Sequence, residues 1–92
     1  MIDEGKLQRE ASRGSQAEGL IKHALFRESF DVLRQKYIDA WTITEPAEVD
    51  ARENFWRAIQ VLADVENHIK KVAQTGRVAK KQLDDLGGLN RL

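Results

Sequence analysis

Residues 49–75 read VDARENFWRAIQVLADVENHIKKVAQT, and the spacing of apolar residues in this stretch settles the class of fold. At about 100° per residue, Phe55, Ala58, Ile59, Val61, Leu62, Val65, Ile69, Val72 and Ala73 fall within an arc of roughly 160°. The opposite side carries Glu53, Arg57, Gln60, Asp64, Asn67 and Lys71. This is an amphipathic helix. Its apolar arc is wider than a two-stranded seam requires, so more than one neighbour is expected to cover it. Asp50 with Glu53 three residues on reads as a capping box, and Gly76 after the last periodic residue reads as a stop.

Upstream, Phe26, Phe30, Leu33, Tyr37, Ala40 and Trp41 repeat at steps of three and four, which predicts a second helix over 26–43. Leu25, Val32 and Ile43 form a thinner apolar stripe about 120–140° round the same helix. Residues 42–48, TITEPAE, connect the two. Pro46 disfavours helical geometry at Glu45 and suits the start of the following helix. So short a link makes the helices antiparallel neighbours.

The flanks read less sharply. Over residues 3–24, Leu7, Ala11, Gly14, Ala17 and Ile21 keep helical spacing, but Gly5, Gly14 and Gly19 each cost about 1 kcal/mol against alanine. Residues 1–24 are therefore either a weak helix, whose small residues let another backbone come close, or a mobile arm ordered in an assembly. Past Gly76, the residues Val78, Ala79, Leu83 and Leu86 predict a short C-terminal helix, ended by Gly87-Gly88, with residues 87–92 as a tail. No apolar/polar alternation persists, so no strand is expected. The expectation is one all-α domain over 1–92: a long antiparallel helical hairpin at 26–75, a weaker N-terminal helix and a short C-terminal one.

Composition narrows the function. Hydrophobic residues make up 41% and charged residues 33%, ordinary for a soluble helical protein. Fifteen Lys and Arg balance fifteen Asp and Glu, and the balance holds in each half: 7 against 8 over residues 1–45, and 8 against 7 over 46–92. That weighs against a protein that coats nucleic acid. The absence of cysteine excludes disulfides, thiol catalysis and cysteine-ligated zinc. The opening MIDEGKLQRE has no apolar core of a signal peptide, and no apolar run approaches the roughly 20 residues of a membrane span. A soluble protein is expected.

The combination of FRESFDVLRQKYIDAW at 26–41, TEPAEVDARENFW at 44–56 and LADVENHIKKVAQTGRVAKKQLDDL at 62–86 resembles small helical proteins encoded by tailed bacteriophages. The landmarks are Phe30, Tyr37, Trp41, Arg52, Trp56, His68, Gly76 and Leu83, and the likeness covers about residues 15–86. It implies a phage-encoded helical protein in the bacterial cytoplasm or the virion, brings no established activity with it, and implies a break near Ala24–Leu25.

The chemistry-bearing residues are few. His23 and His68 have no metal-ligand spacing, and no cofactor is implied. His68 is expected to border the apolar arc, satisfied by a neighbouring side chain. Glu66 falls inside that arc, where a carboxylate needs a cation; Arg34, Arg52 and Lys70 are the candidates, and a structural ion pair of Glu66 with Arg34 is favoured. Lys70, Lys71, Arg77, Lys80 and Lys81 form a local basic run, read first as a solvated face and second as weak phosphate contacts. Trp41 and Trp56 read as a packing cluster at the hairpin end. Leu25, Val32, Ile43, Val61, Val65 and Val72 are the candidate protein interface. A non-enzymatic, homo-oligomeric binding protein is expected. Its role is a virion or genome-packaging component; the alternatives are a factor that blocks a host or defence protein, or a weak nucleic-acid binder.

Overall fold

A computed structural model describes residues 2–90, with three α-helices and, among those residues, no strand. The chain is all-α. α1 spans Glu4–Lys22, α2 spans Ala24–Thr42, and α3 spans Val49–Asn90. α3 is the longest of the three, with 42 residues. No helix among the described residues is long and apolar enough to cross a membrane.

Residues 3–24, read as either weak helix or arm, are helical. Asp3 caps α1: its Oδ1 accepts from the Lys6 amide at 3.0 Å and its carbonyl from Leu7. A single extended residue, His23 (φ −71°, ψ 119°), separates α1 from α2, and its Nδ1 accepts from the Phe26 amide. This places a break one residue before the position the phage resemblance implied.

The connection between α2 and α3 is built around Arg52. Its Nη1 donates to the carbonyl and hydroxyl of Thr44, at 3.3 and 3.0 Å, and its guanidinium lies 4.6 Å over the Trp41 ring. The Arg52 amide donates to the Glu48 carbonyl, so α3 starts at Val49. The Asp50–Glu53 capping box does not form as expected. Asp50 already lies in the first turn, and Glu53 bonds Arg57 instead.

The larger correction concerns Gly76. It does not end α3, and no described glycine has a positive φ. No separate C-terminal helix exists among the described residues, because α3 continues through Gly87-Gly88 to Asn90. Of the expected tail, residues 91 and 92 lie outside the described residues. The reason is packing. A Cβ built on Gly76 would lie 2.5 Å from the Gly14 Cα and 2.9 Å from the Glu10 carbonyl oxygen, and one on Gly14 would meet the Gly76 Cα at 2.5 Å. Gly76 serves close approach, not termination.

By contact, the chain divides into two compact units: a terminal unit, Met1–Lys22 with His68–Leu92, and a central unit, His23–Asn67. In the terminal unit α1 packs on α3 through small residues, and Gly14, Ala17, Ala73, Gly76 and Ala79 are buried. In the central unit α2 runs antiparallel to the first part of α3. Phe26, Phe30 and Tyr37 on one helix and Phe55, Ile59 and Leu62 on the other are half-buried, and no residue is fully buried. The Phe26 and Phe30 rings stack tilted, 5.0 Å apart.

Candidate functional site

The wide arc of α3 explains where apolar surface remains. In the central unit α2 covers the part of the arc bearing Phe55, Ile59, Leu62 and Glu66, which are half-buried. Val61 and Val65 lie to one side of that seam, at 59% and 43% exposure. Further along, Val72 falls on the same stripe, but there α1 partly covers it. The second stripe of α2 stays bare: Leu25 is 63% exposed, Val32 57% and Ile43 83%. Five of the six candidate interface residues are thus exposed together in the central unit, and Val72 belongs to the terminal one.

At the hairpin end, Trp41, Pro46, Val49, Arg52, Glu53 and Trp56 line a shallow hollow. The expected tryptophan packing cluster is only partial. Trp41 sits against Arg52, while Trp56 is 54% exposed at the rim of the same hollow. Leu33, assigned to the core stripe, is 38% exposed at its margin.

Arg34 meets Glu66. Its Nη2 donates to Glu66 Oε1, and its Nη1 reaches Asp31 Oδ1 at 3.2 Å. Both side chains are about three-quarters buried or less, so the charge inside the arc is compensated at the seam between α2 and α3. Arg52, the other nearby candidate, is occupied by Thr44 and Trp41.

Of the five cations at 70–81, three border the seam between α1 and α3. Lys71 lines a hollow on one flank of the α1–α3 seam with Glu10, Arg13, His68, Val72 and Thr75. Arg77 and Lys80 line another, with Ala11, Gly14, Ser15 and Glu18. Arg77 is also committed, its Nε donating to Glu18 Oε1. That hydrogen bond, the Arg77 charge and the nearby Lys22 hold the Glu18 carboxyl below its ordinary value of 4.5. His68 is exposed in its hollow rather than satisfied by a neighbour at the arc's border; no side chain among the described residues bonds it.

Sequence reasoning missed two functional positions of the backbone, the caps at His23 and Asp3. Asp three residues before a lysine amide was a legible signal, whereas a histidine cap is not. Among the described residues no three His, Asp or Glu side chains gather as a metal site. No family model matches the chain, and no curated protein or solved structure matches it either.

Proposed function

We propose that this chain acts without catalysis, by associating with further copies of itself and presenting the assembly to other macromolecules. The observation that carries this reading is the central unit. Two helices cover one seam there, bury no residue completely, and leave Leu25, Val32, Ile43, Val61 and Val65 exposed. Contiguous apolar surface on a small helical unit marks an interaction site. The resemblance of the sequence landmarks to those of phage-encoded helical proteins would suit a virion or packaging component. The same surface would serve an early phage protein that binds a host or defence factor. Nucleic-acid contact through Lys70, Lys71, Lys80 and Lys81 is the weaker reading, since Lys71 and Lys80 line different hollows of the α1–α3 seam and the chain has no net positive charge.

Light scattering across a concentration series tests the proposal. A mass of two or more chains at micromolar concentration is expected. A mass held at 10.5 kDa into the high micromolar range would refute it.

A further inference from the structure

The even charge balance of the sequence conceals a division between the two units. The terminal unit is assembled from both ends of the chain, so halving the sequence at its midpoint mixes the two. Counted by unit, Met1–Lys22 with His68–Leu92 holds ten Lys and Arg against six Asp and Glu, a net of +4. The central unit, His23–Asn67, holds five against nine, a net of −4. Apolar exposure divides the same way. Of the thirteen large apolar side chains exposed among the described residues, ten lie in the central unit.

The two properties coincide locally. On α2, Glu28 lies three residues after Leu25 and four before Val32, and Asp39 lies four before Ile43, so both flank the bare stripe, with Lys36 between Val32 and Ile43 as its one cation. On α3, Asp64 is three residues after Val61. In the terminal unit the corresponding feature has the opposite sign. Val78 is 53% exposed, with Lys81 three residues on, Lys71 seven before it and a single acid, Asp85, seven after it on the same face. Neither lysine has an acidic partner within salt-bridge distance among the described residues.

We infer that copies of this chain join unlike unit to unlike unit, the acidic apolar face of one central unit docking on the basic Val78 face of another copy's terminal unit. This deepens the self-association proposed above and rests on it. Apposing two central units would hide more apolar surface, but would bring together two units that each carry a net −4, and like charges in juxtaposition are costly. Docking unlike units hides the stripes and brings Glu28, Asp39 and Asp64 toward lysines that have no acidic partner within salt-bridge distance among the described residues. Made once per copy, such a contact is heterologous and builds rings or filaments; made reciprocally, it closes a dimer.

The test uses the full chain, two variants and salt. K71E/K81E reverses the basic face, and V61D/V65D spoils the apolar one. All four positions are exposed, so helical circular dichroism should be unchanged. Each variant alone should associate at least tenfold more weakly than the wild type, and an equimolar mixture should recover association, because each variant retains the face the other lacks. The wild type should also dissociate as sodium chloride rises from 0.05 to 1 M, where the screening length falls to about 3 Å. An oligomer that is indifferent to K71E/K81E, or that tightens with salt, would overturn docking between unlike units and leave self-association standing. A wild type that never leaves the one-chain mass would remove both. Should K71E/K81E fail to fold, the salt series decides by itself.

Discussion

Replacing Gly14 with alanine should loosen the terminal unit, although alanine is the better helix former. The propensity gain is about 0.8–1.0 kcal/mol. Against it stands the added methyl group, 2.5 Å from the Gly76 Cα, 3.1 Å from its nitrogen and 3.2 Å from the Val72 carbonyl oxygen. Carbon atoms rest at about 3.5–4.0 Å, so the shortfall is more than about 1 Å, and every obstructing atom is backbone. No rotamer can yield. α1 and α3 must move apart, which also thins the packing around Ala17, Ala73 and Ala79. Overpacking of this kind costs about 1–3 kcal/mol, and separating two backbones belongs at the upper end. A net loss of about 2 kcal/mol lowers the melting temperature by roughly 8–16 °C for a chain of this length. Gly19→Ala is the internal control. It lies on the same helix with nothing within 4 Å of its added methyl, and should raise the melting temperature by roughly 3–8 °C. Thermal melts followed by circular dichroism, at one fixed protein concentration, give both values. If Gly14→Ala stabilises as Gly19→Ala does, the close approach of the two backbones is not what holds this unit.

Three further outcomes follow from the central unit and the ion pairs. Ile59→Ala should cost about 1–3 kcal/mol in urea unfolding, below the range for a fully enclosed residue because Ile59 is half-buried; a cost under about 0.5 kcal/mol would mean the seam lies elsewhere. Arg34→Met leaves Glu66 without its cation and should destabilise by about 1–3 kcal/mol, whereas Arg34→Met with Glu66→Leu should recover most of the loss; equal losses in both would show that the pair is not coupled. Because Arg77 depresses the Glu18 carboxyl, the folded state gives up that proton more readily than the unfolded chain. The stability from this contact is present above pH 4.5 and lost as pH falls through the lower folded value. Glu18→Gln should therefore melt below the wild type at pH 7, with the gap narrowing as pH falls below 4.5, and a gap of unchanged size down that range would exclude the carboxylate as its source.

Much of this architecture is legible in the apolar period. The faces of α2 and α3 follow from steps of three and four, and a carboxylate falling inside an apolar arc is enough to point to Arg34 as its partner. What the sequence conceals is what distinguishes one glycine from another. Gly76 looks like a helix stop because the residues after it change character, from an apolar arc to a lysine-rich run. Its role depends on Gly14, sixty-two positions earlier, and only tertiary contact connects them. Small residues in α1 did announce a close backbone, but not which one. The cap of α3 was similarly hidden: Asp50–Glu53 has capping-box spacing, yet the Arg52 amide bonds the Glu48 carbonyl and the helix starts at Val49. The charge division was hidden for a simpler reason, since it follows the fold rather than the order of residues.

α3 belongs to both units, and its amides therefore offer an unusual internal comparison. In native-state hydrogen exchange, each peptide group reports the cheapest opening that exposes it. Along Val49–Asn67 that opening is the loss of α2, and along His68–Asn90 it is the loss of α1. The first is held by half-buried aromatic and aliphatic side chains, the second by backbone lying on backbone. One uninterrupted helix should thus show two plateaus of protection, with the step near His68, and the lower plateau identifies the half that opens first. A single plateau would mean that the helix transmits every opening along its whole length, and that the two units unfold as one.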